Sequence, residues 1–295
     1  MGTISTSMQL LHWLPKSLRR HKCIEFLCNV GLQDRISEIK FNNGSRTIVD
    51  LSDPEPRNVF IKREFEPHFF DIANALMPQD GIFFDLGANV GFCSFGLVSS
   101  RPKANYHLFE ANAKLITLLE KSAGLHPETD FQINYNCVTD QPGETRFCLE
   151  DEQSGQSHVA TEEEGGEAVP NLLLDEYVEK HAIERIDFAK MDLEGHELKA
   201  LRGWRHSLEA GLVKALYIEV MPENQKRYGL PTNAALAYLE ECGYDLFFCK
   251  GQDLGKFGKK SKRFDGLGDS LTIASFLARE YPSNYSTDIL ALNSM

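Results

Sequence analysis

A chain of 295 residues, 42% apolar and 25% charged, can bury one large core, and these fractions exclude a disordered or collagen-like polymer. A formal net charge of -12 excludes a general nucleic-acid binder, which sets many cations against phosphates, and favours a small-molecule site. Seven cysteines without a C-x-x-C pair suit buried thiols in a reducing compartment, so a cytoplasmic protein is expected, with no secretory leader and no transmembrane segment of roughly 20 apolar residues.

The chain opens on apolar "MQLLHWL" followed by basic "PKSLRRHK", which reads as a domain-flanking helix with a solvated face in preference to a membrane-surface helix. "MGTIST" fits the short and unspecific acylation pattern M-G-x-x-x-[ST]. From residue 36 the period becomes two: "ISEIKFNNGSRTIVDL" predicts a hairpin about Asn43-Gly44, because Asn-Gly readily takes the positive φ of a tight turn. Residues 1–60 are thus expected to form a helical and hairpin extension, and residues 61–295 the main domain. "EPHFFDIANALM" has helical spacing, with Pro67 near its start.

Strand and helix patterns then alternate. Strands are expected at "GIFFDLG", "NYHLFE", "FQINYNC", "IDFAKMD", "ALYIEV" and "YDLFFCK", with helices around 90–100, 112–123, 196–208 and 233–242. That order implies right-handed crossovers and an α/β fold, a mostly parallel doubly wound sheet that binds ligands beyond the carboxyl ends of its strands. The last apolar run, "SLTIASFLA", fits a seventh strand or a final helix. "TDQPGETRF" reads as a turn at Pro142-Gly143 leading into a strand. Acidic "EDEQSGQSHVATEEEGGEAVP" is expected as a solvated surface loop rather than an active-site lid, and basic, glycine-rich "KGQDLGKFGKKSKRFDGLGD", with its lysines at 256–263, as its counterpart.

The densest signal is "GIFFDLGANVGFCSFG". A strand running into a glycine turn and a helix aims backbone N–H groups at a ligand. Asn89 occupies the place of the second glycine of a dinucleotide fingerprint, no P-loop lysine follows, and Asp85 would repel phosphate. An acidic strand end suits instead a cationic ligand such as S-adenosylmethionine (SAM), whose sulfonium and ammonium need no cationic clamp. Glu110, ending the next strand, can accept the ribose hydroxyls, a feature NAD would share. Asp85, Gly87, Ala88, Asn89, Gly91 and Glu110 are therefore candidate cofactor residues. Asn136 and Cys137, ending the third strand, would face the adenine.

The second constellation is "DFAKMDLEGHELKALRG". Ionisable groups crowded at a buried strand end are costly unless they pair or bind something. Lys190, Asp192, Glu194 and His196 lie there, and Glu219 at the end of "ALYIEV" would reach the same place. Methyl transfer needs an aligned nucleophile and, for an alcohol, a base or a metal to take its proton. Asp192, Glu194 and Glu219 can serve as base or as oxygen ligands of a divalent cation such as Mg, and His196 is a further candidate base.

"FFDLGANVGFCS", "LFEAN", "NCVTDQPGETRF", "IDFAKMDLEGHELKALRG" and "LYIEV" resemble, in order and spacing, the FkbM-type family of SAM-dependent methyltransferases, as does the preceding "REFEPHFF". The resemblance covers roughly residues 60 to 250. It implies a class I, Rossmann-like methyltransferase fold with an antiparallel seventh strand, and O-methylation of a hydroxyl of a sugar or a secondary metabolite from natural product biosynthesis. It puts Asp85, Gly87, Asn89, Gly91 and Glu110 on the cofactor motifs and Lys190, Asp192, Glu194, Gly195 and Glu197 on the family's K-x-D-x-E-G-x-E run. His196 falls at a permissive position. Transfer to nitrogen or a carboxylate, an NAD-dependent oxidoreductase, and a SAM-binding protein without turnover stay open alternatives; the oligomeric state, the acceptor and the role of the extension are not set by the sequence.

Overall fold

The computed structural model describes residues 20–150, 153–249, 260–263 and 272–294. The expectations for residues 1–19, and for 250–259 and 264–269 of the basic segment, lie outside them; its residues 260–263, expected as loop, form a strand instead. The described chain enters through helix α1 (Arg20–Asn29) and the hairpin of β1 (Ile36–Phe41) and β2 (Ser45–Asp50). Its turn is tight, with Asn42, Asn43 and Gly44 at φ of 37°, 59° and 101°, a region that asparagine and glycine tolerate best. The hairpin is bonded into the body behind it: Ser45 Oγ donates to the Gly96 carbonyl at 3.1 Å, Thr47 Oγ1 donates to the Val90 carbonyl at 3.1 Å, and the Ile48 N–H donates to Ser122 Oγ at 2.8 Å. Helices α2 (Pro54–Lys62) and α3 (Pro67–Leu76) each begin on proline, whose missing N–H is not needed in a first turn.

Strand and helix then alternate through β3 (Ile82–Leu86), α4 (Phe92–Val98), β4 (Asn105–Glu110), α5 (Ala113–Ala123) and β5 (Asp130–Tyr135). An excursion follows, in which β6 (Cys137–Val138), β7 (Glu144–Cys148), β8 (His158–Val159) and β9 (Glu167–Leu172) make a small sheet of order β6-β9-β7-β8. The alternation resumes with α6 (Leu174–Lys180), β10 (Phe188–Met191), α7 (Glu197–Arg202), α8 (Arg205–Glu209), β11 (Ala215–Val220), α9 (Pro222–Arg227), α10 (Ala234–Glu241) and β12 (Tyr244–Phe248). It closes on β13 (Lys260–Arg263), β14 (Thr272–Phe276) and β15 (Thr287–Asn293).

The main sheet runs β13-β14-β12-β15-β11-β10-β3-β4-β5, parallel from β5 to β11, with β15 inserted antiparallel between β11 and β12. Both faces are covered, so consecutive strand residues enter opposite cores. Phe83, Phe188 and Tyr217 join the layer formed with the hairpin, α3, α4 and α5; Phe84, Ala189 and Leu216 join the layer formed with α6, α7 and α10.

Three elements differ from the sequence pattern. "SLTIASFLA" contributes strand β14, but at the outer side of β12; the antiparallel seventh strand is β15, whose Ile289, Leu290 and Ala291 are buried on both faces and so show no alternation. The run 131–137 breaks at Asn136, because Cys137 and Val138 leave β4 to pair with β9. The helix expected over 196–208 breaks at Gly203, where a Cβ would stand 2.0 Å from the Thr139 carbonyl oxygen. A new start follows because Asp175 accepts from the N–H groups of His206 and Ser207 at 2.8 and 2.9 Å. No helix among the described residues is long and apolar enough to cross a membrane, and all seven cysteines are free thiols.

Candidate active site at the switch point

From β3 the chain moves to β4 and β5 on one side and only later returns to β10 and β11 on the other. A crevice therefore opens beyond the carboxyl ends of β3 and β10, the place where open α/β sheets bind ligands. Asp85 and Lys190 stand in register across these two strands, so the glycine turn and the acidic run, distant in sequence, are adjacent. A cavity of about 560 Å³ lies there, walled by Asp85, Gly87, Ala88, Asn89, Glu110, Asn136 and Cys137 on one side and by Lys190, Asp192, Glu194, His196 and Glu219 on the other. Gly91 stands behind it.

The first wall is built largely of main chain. Gly87, at φ 81°, passes so close to the loop after β10 that a Cβ would lie 1.9 Å from the Asp192 carbonyl oxygen. Gly91, at φ 76°, lets the turn close on α4, where a Cβ would meet the Phe95 ring at 2.4 Å. Asn89 also takes positive φ, 51°, and its N–H donates to Glu110 Oε2 at 2.7 Å. The Asn112 N–H donates to the other Glu110 oxygen at 2.7 Å, and each oxygen keeps a lone pair for a hydroxyl. Burial pushes the Glu110 carboxyl up to about 7 against these bonds. Burial likewise raises Asp85, opposed by the Lys190 charge and by Ser94, whose hydroxyl donates to Asp85 Oδ2 at 2.5 Å.

The second wall is built of opposed charges. Lys190, buried, donates from Nζ to Asp192 Oδ2 at 2.8 Å. Burial works against both ions, but their attraction wins, holding the ammonium well above and the Asp192 carboxyl below their ordinary ranges; a Glu219 hydrogen bond helps Asp192. The Asp192 charge, then burial, pushes Glu219 up to about 10, so Glu219 keeps its proton. Burial, then the same charge, raises Glu194 to about 7. Glu194 sits at φ 53° with Oε2 accepting from Asn224 Nδ2 at 2.5 Å.

Two neighbours in the run do different work. Glu197 faces away from the cavity: its Oε1 accepts from the N–H groups of Leu193 and Gly195, both at 3.1 Å, and its Oε2 from Gln225 Nε2 at 2.7 Å, tying the loop to α9. His196 lines the cavity with Nε2 3.1 Å from Thr139 Oγ1, and burial, with Lys199 nearby, pushes it down to about 3. A neutral imidazole of that basicity is a weak proton acceptor.

Sequence reasoning missed several cavity residues. The acidic segment expected as a solvated loop instead places residues 153–159 on the cavity wall. The Ser154 N–H donates to Asp53 Oδ2 at 3.0 Å, and its hydroxyl donates to Asn89 Oδ1 at 3.1 Å. Polarity alone hid this, because a wall facing a hydrated ligand is as polar as a surface loop. Glu55, in the first turn of α2, also lines the cavity, and burial, then the Asp192 charge, pushes it up to about 7. Only a helix-start signature at Asp53-Pro54 marks it in the sequence. Asn224 and Arg227 are further lining residues without a motif, and Phe65 and Glu66 line the cavity from "REFEPHFF", a stretch that the family resemblance includes without giving it a site role.

These walls fit a cationic, phosphate-free cofactor: the carboxylates would face its sulfonium and ammonium, and Gly87 lets the turn pack against the Asp192 main chain so that both walls border one cavity. The oxygens of Asp192, Glu194 and Glu219 lie within 4.8 Å of one another, a donor set of the kind that holds a hard divalent cation, with the Lys190 ammonium already against Asp192.

The order of the main sheet, its inserted antiparallel strand and an acid-walled cavity at the switch point are those of a SAM-dependent methyltransferase. The chain belongs to the FkbM methyltransferase family, whose domain model matches residues 85–246. It is 26% identical over 132 residues to the hexuronic acid methyltransferase AglP of Haloferax volcanii, a match covering 45% of this chain and 53% of that protein, so the chain spans about half the length of this relative. Among solved structures it is similar to a precorrin-6y C5,15-methyltransferase from Geobacter metallireducens, at 12% identity and TM-score 0.39 over 78% of this chain and 90% of that one. A TehB-like SAM-dependent methyltransferase from Corynebacterium glutamicum is similar at 15% identity and TM-score 0.39, over 76% and 94%.

Proposed function

We propose that the protein is an O-methyltransferase acting on a hydroxyl of a sugar or another small metabolite. SAM, when bound, supplies a methyl group already activated on a sulfonium. Asp85 and Glu110, with the turn of Gly87, Ala88, Asn89 and Gly91, hold and orient it, and Asn136 and Cys137 face its adenine. Glu194 takes the acceptor's proton. The observation that carries this reading is the splitting of three neighbouring carboxyls: Asp192 is held ionised, Glu219 is held protonated at about 10, and Glu194 is raised to about 7, where a base works best near neutral pH.

The acceptor class follows from charge. A carboxylate needs no base and would be repelled by Glu55, Asp192 and Glu194 around it, whereas a neutral hydroxyl needs the base and meets no such repulsion. Lys190 sets the state of Asp192 rather than touching the acceptor, and His196 positions the loop through Thr139. The described part of the extension, residues 20–60, would act with the main domain through Glu55 and Asp53. The hexuronic acid in the name of AglP supports a sugar among the acceptors; such a sugar carries a carboxylate as well as hydroxyls, so locating the methylated atom separates the charge argument from the likeness.

The test is a methyl-transfer screen over neutral sugars, polyketides and peptides, with and without EDTA, with the methylated atom located by mass spectrometry. Methyl ether formation, lost in Glu194→Gln while calorimetry still shows SAM binding, is the expected result. Methylation confined to nitrogen or carboxylate would overturn the hydroxyl reading, and SAM binding without any transfer would leave a binding protein. Activity abolished by EDTA and restored by magnesium would assign Asp192, Glu194 and Glu219 to a cation.

A further inference from the structure

A second convergence of ligand-type side chains lies apart from the reacting carboxylates, on the small sheet. Cys148, at the end of β7, and His158, at the start of β8, are direct cross-strand partners, so their side chains project from the same face. The turn after β8 brings Glu164 to them, and the ligand atoms of Cys148, His158 and Glu164 all lie within 4.8 Å of one another. The described residues offer two such groups, and this is the one containing sulfur and nitrogen.

Each of the three is oriented by its own hydrogen bonds. His158 Nδ1 lies 2.9 Å from the Gln156 carbonyl oxygen, which can only accept, so Nδ1 carries a proton and Nε2 is the ring atom turned to Glu164. Nε2 lies 3.5 Å from Glu164 Oε1. An imidazole nitrogen and a carboxylate oxygen so placed are joined through a proton or through a cation. The other Glu164 oxygen is fixed by the N–H and hydroxyl of Thr161, both at 2.8 Å, so the carboxylate cannot turn away without losing them. A backbone carbonyl behind imidazole and a donor behind carboxylate are the supporting contacts that metal-ligating side chains use. Cys148 Sγ completes the face, donating its proton to the Gly165 carbonyl.

From this geometry we infer that Cys148, His158 and Glu164 form a binding site for a borderline-soft divalent ion, zinc by chemical class. Thiolate, imidazole and carboxylate together select such an ion over magnesium, and three protein ligands leave the fourth tetrahedral position to water. Binding displaces to solvent the thiol proton and the proton shared by His158 Nε2 and Glu164 Oε1, as the sulfur–, nitrogen– and oxygen–metal bonds form. Ligands at about 2.0–2.3 Å from a tetrahedral ion require a small inward rotation, which the half-exposed Cys148 and exposed Glu164 can make. His158 also lines the methyl-transfer cavity, so the ion would pin the wall that residues 153–159 give to it.

The test uses the full chain, stripped with EDTA and titrated with zinc chloride or cobalt chloride. One equivalent of zinc by elemental analysis is expected, together with the visible bands of tetrahedral cobalt and a near-ultraviolet thiolate-to-cobalt band. Cys148→Ser should abolish the thiolate band, Glu164→Gln should weaken zinc binding by at least about tenfold, and the paired substitution Cys23→Ser, Cys28→Ser should change neither. Circular dichroism and SAM calorimetry confirm that each variant is folded. Absence of stoichiometric zinc from the native chain, or a thiolate band that survives Cys148→Ser, would overturn the site and leave His158 and Glu164 as an ion pair.

Discussion

The two walls of the cavity meet at adjacent strands but are made by different means. The cofactor wall is main chain shaped by Gly87, Asn89 and Gly91 at positive φ, with Glu110 satisfied by two backbone N–H groups. The acceptor wall is a set of side-chain charges, Lys190, Asp192, Glu194 and Glu219, that fix one another's protonation. A backbone cradle tolerates almost no added atom. A charged wall tolerates shape changes but not changes of charge. The same contrast recurs inside one motif, where Glu197 holds the loop and Glu194, three residues earlier, lines the cavity.

The largest effect should come from the cradle. Gly87→Ala forces a Cβ against the Asp192 carbonyl at positive φ and should cost about 2–5 kcal/mol of stability and abolish SAM binding, read by denaturant unfolding and calorimetry. Glu194→Gln is the matching change on the other wall: kcat should fall by roughly 10²–10⁴ with SAM affinity and stability nearly unchanged. Native kcat should rise with pH through about 7 as Glu194 loses its proton, and that limb should vanish in the variant. If both substitutions weaken SAM binding equally, the division of labour between the walls is wrong.

Glu197→Ala strands the donors of Leu193, Gly195 and Gln225 and should destabilise the fold by about 2–4 kcal/mol without removing the pH limb. A smaller effect is linked to protons. Glu55, Glu110 and Glu194 are raised from 4.5 to about 7 in the folded chain, so across that interval the folded state binds protons that the unfolded state has released. Stability, read as Tm, should therefore fall as pH rises from 4.5 to about 7. The cationic cofactor favours the ionised forms, so the Tm gain on adding SAM should grow over the same range; a gain independent of pH would break the charge argument. Smallest of all, Ser154→Ala removes one hydroxyl bond to Asn89 and should raise the KM for SAM by only a few-fold.

Legibility in the sequence divides along related lines. The positive-φ turn announced itself, because few residues other than glycine and asparagine accept that backbone, and Lys190, Asp192 and Glu194 stood out because charges are rare at buried strand ends. Strand β15 was missed because burial on both faces erases alternation, and the run of β14 reads as strand or helix alike, because its place between β13 and β12 depends on partners rather than on local pattern. Glu55 and Ser154 reach the cavity only through tertiary packing, from segments whose composition is that of any surface. The pKa ordering of Asp192, Glu194 and Glu219 is also a property of distances, so no spacing could have shown that Glu194 is the one poised near neutrality.

The hairpin bonds behind the cofactor turn bear on how such a protein can be recombined. The family-matched segment begins at Asp85, yet the Val90 carbonyl and the Ser122 hydroxyl inside it are satisfied by Thr47 and Ile48 outside it. What is inherited as a recognisable unit is thus smaller than what must fold together. A chimera exchanging residues 85–246 alone would transplant the chemistry and leave the brace of its floor behind, whereas one that begins upstream of Ile36 would carry both.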